Sequence, residues 1–120
     1  MSERGTAEST QWALLFPALL MLTLGLIQTG IWLHGRSVVA NAAATVAELA
    51  AEAGHDREGA IAAGERVARA GGASDITIRV VRDADTVTVT AVAEIPVFFD
   101  VGQGRISERA IRPAERVSRP

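Results

Sequence analysis

The sequence predicts an α+β protein: an N-terminal transmembrane helix continuing into a long Ala-rich helix, a second short helix, and a small antiparallel sheet of two or three strands. Three observations carry this reading. From Trp12 to Leu33 the chain reads WALLFPALLMLTLGLIQTGIWL without one formal charge. From Arg36 to Ala53 it is dominated by Ala, with apolar residues at steps of three and four. From Asp75 onward the period drops to two, and β-branched residues alternate with polar ones. A charge-free stretch followed by charges every few positions implies two solvents.

A bilayer core about 30 Å thick requires roughly 20 apolar residues in helix. Trp12 and Trp32 stand 20 positions apart (32 − 12). Indole rings favour the headgroup boundary, so these two residues are the expected interface anchors. A cleaved secretory signal would carry a shorter apolar core behind a basic leader. Here the run is long and the leader holds Glu3, Arg4 and Glu8, so an anchor is favoured. The expected organisation is a short leader over 1–11, a transmembrane helix over 12–34, and a domain over 35–120 whose tail frays from about 113.

Within the span, Pro17 removes a backbone donor and predicts a kink. Ala18, Gly25 and Thr29 fall on one side of the helix, with Gln28 at its margin. Gly25-x-x-x-Thr29 is a small-xxx-small step of the kind that admits a second helix at close range. A lone span that tolerates one amide near the interface accounts for the same residues. Arg4 and Arg36 flank the span on opposite sides, so charge alone does not orient it.

Beyond the span, Val39, Ala43, Val46, Ala50 and Ala53 form a continuous stripe of small apolar residues, with Gly54 as the stop. Asp56 is the candidate N-cap of a second helix whose buried face is Ile61, Gly64, Val67 and Ala68, ended by Gly71-Gly72. Asp75–Arg82 and Thr86–Phe99 read as a hairpin turning at Asp83-Ala84-Asp85. Val87, Val89, Ala91, Ala93 and Ile95 face the helices, and Pro96 confines the second strand to an edge or ends its pairing. Ile106–Arg112 is a weaker third strand or a short hook.

The chemistry-bearing patterns are sparse. Basic and acidic residues number 12 and 14 with no basic block, which argues against nucleic-acid binding. There is no Cys, and His34 and His55 lack acidic neighbours at ligand spacing, so neither a metal nor another cofactor is expected. Gly102-x-Gly104 is a turn without the Lys or following helix of a phosphate loop. No catalytic residues, no enzyme activity and no small-molecule substrate are inferred.

The N-terminal part resembles the TadE-like family, pilin-like membrane proteins of the Tad (Flp, type IVb) pilus assembly system. The resemblance runs over roughly residues 3–53: Glu3-Arg4-Gly5-Thr6 before the span, Gln11-Trp12-Ala13-Leu14-Leu15-Phe16-Pro17, Gln28-Thr29-Gly30, and Trp32-Leu33-His34-Gly35-Arg36 leading into the Ala-rich helix. It implies a cytoplasmic N-terminus, a membrane helix, a domain outside the cytoplasm, and other pilin-like or Tad assembly proteins as partners. It also implies a candidate prepilin-peptidase cleavage between Gly5 and Thr6. The family's Glu at the fifth position after the cut is absent: Thr10 stands there, and Gln11 matches it better by its neighbours but carries no charge. The expected function is that of a non-enzymatic minor pilin or pseudopilin in a Tad-type assembly or secretion system. A membrane-tethered adhesion or binding domain, with the helix as a plain anchor, is the alternative.

Overall fold

A computed structural model describes residues 3–52, 56–97, 102 and 104–114. Its elements are α1 (Glu3–Ala51), α2 (Arg57–Ala70), β1 (Ser74–Arg82), β2 (Thr86–Glu94) and β3 (Arg105–Pro113), an α+β architecture as expected. The chain divides into two compact units, Met1–Gly30 and Ile31–Pro120.

The first unit is helix alone, and α1 continues through Pro17. Its large apolar side chains are exposed around the helix: Trp12, Leu14, Phe16, Leu20, Met21, Leu22 and Leu26 among them. Each such side chain forgoes about 1.5–3 kcal/mol when left in water. The helix is long and apolar enough to cross a membrane, by length and composition. Two hydroxyls inside it are satisfied locally, Thr23 Oγ1 donating to the Leu19 carbonyl at 2.9 Å and Thr29 Oγ1 to that of Gly25 at 2.8 Å. Such back-bonding makes a hydroxyl tolerable where no water is present.

In the second unit the predicted small-residue stripe is buried, with Val39, Ala43 and Val46 at 0% exposure and Ala50 close behind; Ala53, Gly54 and His55 lie outside the described residues. The last turn of α1 is closed by the Glu52 amide donating to Leu49, and the Arg82 guanidinium donates to the Ala50 carbonyl at 3.4 Å. A cation on an orphan carbonyl at a helix C-terminus is favourable on both hydrogen-bond and dipole grounds. Asp56 caps α2, its carboxylate accepting from the Gly59 amide at 3.2 Å. At the other end Ala73 N–H reaches the Ala68 carbonyl and Gly72 N–H that of Arg69. Gly72 has φ +93°, so this is a Schellman stop of the kind a Gly pair provides.

The sheet order is β1-β2-β3, both pairings antiparallel. Val87, Val89, Ala91, Ala93 and Ile95 are all buried against the helices, as their alternation requires. Three differences from the sequence reading have physical causes. β2 stops at Glu94 instead of reaching Phe99, because Pro96 has no amide to continue the ladder; Phe98 and Phe99 lie outside the described residues. β3 is a full nine-residue strand with an unbroken register from Thr86↔Pro113 to Glu94↔Arg105, which makes β2 the central strand. In α2 the fully buried positions are Ala60, Gly64 and Ala68, while Ile61 and Val67 pack half-buried beside them.

The core is built from small side chains, and its largest fully buried members are Val39, Val46, Val87 and Val89. This permits α1 and α2 to approach closely. A Cβ on Gly64 would overlap Val46 Cγ2 and stand 3.2 Å from the Ala42 carbonyl oxygen, and one on Gly71 would overlap Val38. On helix propensity alone Gly64→Ala gains about 1 kcal/mol. Here the overlap is expected to reverse the sign, so that Gly64→Ala lowers domain stability by about 1–3 kcal/mol in denaturant titrations. Adding Val46→Ala is expected to recover part of that loss. Additive effects of the two substitutions would mean that the helices do not meet at this pair.

Candidate helix-packing face and membrane boundary

The candidate packing face lies in the first unit. Ala18, Gly25 and Thr29 are exposed and Gln28 is half-exposed. A Cβ built on Gly25 meets nothing within 4 Å, so the backbone there is open to an incoming surface. The Thr29 hydroxyl is already committed to the Gly25 carbonyl, and Gln28 also has an interaction partner. The face therefore offers shape more than unsatisfied polarity. Gly30, which the sequence reading used only in its family pattern, is likewise open. Gly5 and Thr6 belong to the helical backbone of α1, and their side chains lie outside the described residues.

The two Trp residues differ. Trp12 is 64% exposed on the apolar helix. Trp32 belongs to the second unit and packs half-buried against its core. One turn later the Arg36 guanidinium sits 5.6 Å from the Trp32 ring centroid, and its Nε donates to Glu108 Oε1 on β3 at 2.8 Å. Between them Gly35 is buried against Ile95, whose side chain occupies the space a Cβ would need. The first turns of α1 within the domain are thus fastened to the end of β2 and to β3. A composition-based reading of Trp32 as a boundary marker sees the ring but not this packing, because Arg36 and Glu108 are 72 positions apart.

Farther along, Arg112 of β3 stands 3.9 Å from Glu48 of α1. Among the described residues no group of three or more His, Cys, Asp or Glu side chains could hold a metal ion. Asp83 and Asp85 are exposed at the tip of the β1–β2 hairpin, and His34 is exposed on α1.

A family model described as TadE-like protein matches residues 7–48. The match covers the apolar helix and most of the segment of α1 that forms the domain core, and stops before α2 and the sheet. No curated protein and no solved structure matches the chain.

The packing of Trp32 on the domain core is testable in the full chain in detergent. Trp32→Ala is expected to lower domain stability by about 2 kcal/mol through lost apolar burial. Glu108→Gln, which breaks a largely solvated pair, is expected to remove less than about 1 kcal/mol. An unchanged unfolding midpoint for Trp32→Ala would reduce that residue to a lipid contact.

Proposed function

We propose that the chain is a membrane-anchored, non-enzymatic subunit of a Tad-type pilus assembly or secretion apparatus, acting as a minor pilin or pseudopilin. The observation that carries this reading is the coincidence of the TadE-like match over residues 7–48 with a helix whose apolar side chains are exposed on every side. Similarity confined to the rest of the chain would speak for a shared outer domain. Similarity that begins in the apolar helix and runs on into the domain speaks for a shared way of coupling the two.

In this proposal residues 12–34 cross the membrane, residues 1–11 remain in the cytoplasm as a leader, and the domain from residue 35 lies outside. The face formed by Ala18, Gly25, Gln28 and Thr29 packs against the helices of other pilin-like or Tad assembly proteins. In lipid no hydrophobic drive operates between helices, so close contact at small residues supplies the attraction. The open backbone at Gly25 supports that role. Trp12 and Trp32 hold the two interfaces, Trp32 while also packing on the domain. Cleavage between Gly5 and Thr6 releases Met1–Gly5 in a pilin-like life cycle. Without the family's acidic residue at the fifth position, the mature helix lacks a charge to pair with a neighbouring amino terminus.

Two experiments test this. A reporter active only outside the cytoplasm, fused at the C-terminus, is expected to be active, and the chain is expected to resist carbonate extraction. A reporter active only in the cytoplasm would overturn the reading. Intact mass from the native host locates processing: loss of Met1–Gly5 supports a pilin-like subunit, and loss of everything up to about residue 40 would mean a secretory signal.

Gly25→Leu fills the open face without reducing hydrophobicity. Insertion is expected to survive while crosslinking to neighbouring spans falls. Leu20→Ile is expected to change neither. Equal association of the wild type and Gly25→Leu would leave the span a passive tether.

A further inference from the structure

The three-stranded sheet has two edges, and the structure treats them differently. In antiparallel ladders alternate residues bond across, so one observed bond fixes the parity of the strand. Asp83 N–H donates to Thr86, so Thr77, Arg79 and Val81 bond toward β2, and the amides and carbonyls of Ile78, Val80 and Arg82 point to the β1 edge. That edge is guarded. The Arg57 guanidinium donates to the Val80 carbonyl at 3.1 Å, α2 packs beside the strand, and a register shift with Asp75 at φ +48° distorts its start. These are recognised ways of making an edge unfit for pairing.

Among the described residues, nothing bonds to the β3 edge over most of its length. Ile95 N–H donates to Gly104 and Ala114 N–H to Asp85, so the even-numbered residues of β3 bond to β2. The amides and carbonyls of Arg105, Ser107 and Arg109, and the Ile111 amide, point away from it. At the far end Arg112 donates to the Ile111 carbonyl at 3.0 Å and Pro113 has no amide. The same odd-numbered residues are exposed on the sheet face away from the helices. There Arg109 shares a cross-strand row with Thr90 and Arg79, and among the described residues neither Arg has an ion-pair partner. Along the edge Arg105, across from Glu94, and Arg109 stand on the exposed face, while Glu108 and Arg112 turn toward α1, where Arg36 and Glu48 meet them.

We propose that the β3 edge from Arg105 to Ile111 is a strand-addition site for an extended acidic segment of a partner protein. Main-chain bonds to Arg105, Ser107, Arg109 and Ile111 supply affinity. Acidic side chains opposite Arg105 and Arg109, with an apolar one opposite Ile111, supply selectivity.

A second copy is a poor occupant. The ion pairs Arg36–Glu108 and Glu48–Arg112 show that α1 runs parallel to β3. Antiparallel β3–β3 pairing about Ser107 would set Arg105 of one edge opposite Arg109 of its copy, and parallel pairing would set the arginines of one edge along those of its copy.

The test uses the full chain in nanodiscs and a short capped peptide of alternating glutamate and valine, with an alternating lysine and valine peptide as the contrast. Hydrogen exchange in the free protein is expected to be slow at Ile106, Glu108, Ala110 and Arg112 and fast at Ser107, Arg109 and Ile111. The glutamate peptide is expected to slow the latter set and to bind more weakly as salt is raised. Ser107→Pro removes one outward amide and is expected to weaken binding about tenfold, while Ser107→Ala leaves it within about twofold. Arg109→Glu is expected to shift the preference toward the lysine peptide. Should Ser107→Pro disturb the strand, seen as loss of the slow set, a glutamate peptide N-methylated on its pairing side makes the same deletion from the ligand.

Three results would overturn the proposal: no protection by the glutamate peptide, equal binding of both peptides, or undiminished binding of the N-methylated one. Efficient Ser107→Cys crosslinking between copies in the same nanodisc would instead make the edge a self-association surface. Carbonate extraction of the same protein reports separately on anchoring, so failure of the edge and failure of the anchor are distinguishable.

Discussion

One helix has to present two different surfaces, and the rest of the structure follows from that constraint. From Trp12 onward the first unit's part of α1 exposes Leu, Phe and Met around its circumference, a surface better suited to hydrocarbon than to water. Past Ile31 the same helix needs one face for a protein core and another for water. The composition changes accordingly from Leu-rich to Ala-rich, and the charges begin. The domain has no separate scaffold. Its central core element is the later part of α1, from Val39 to Ala51.

Small side chains make this arrangement workable. A core of Ala and Val with Gly64, Gly71 and Gly35 at the contacts brings backbones together, which raises the density of dispersion contacts. It also leaves little tolerance for added volume. Large aliphatic residues are reserved for the sheet face and for the apolar helix. The ion pairs between α1 and β3 are largely solvated and add register more than stability.

Much of this was legible in the sequence because it rests on local periodicity. The alternation from Val87 to Ile95, the stripe from Val39 to Ala50, the Asp56 cap and the Gly71-Gly72 stop each depend on neighbours within a few positions. What was not legible depends on distant partners. β3 reads weakly because only Ile106 and Ala110 of its inward positions are apolar. It is held instead by pairing to β2, and Glu108 and Arg112 reach across to α1. Ala60 was hidden among equivalent alanines. Gly35 gave no signal that Ile95 would fill the space beside it, and nothing near Trp32 in the sequence signals that its ring also packs against the domain core. The candidate helix-packing residues of the apolar unit come from spacing alone; in the structure the backbone at Gly25 is open and the Thr29 hydroxyl is already in use.

The course of α1 along β3 also has a mechanical meaning. The helix enters the domain beside Ile95 and leaves beside Arg82, traversing the sheet lengthwise with contacts along the way. A pull on its Ile31 end, directed along the helix, loads those contacts together in shear. A pull across the sheet would open them one after another. Shear distributes force over the whole seam, so the domain resists traction along that axis far better than its small side chains and modest ion pairs would suggest individually. Resistance is directional, and its strong axis is that of α1 within the domain.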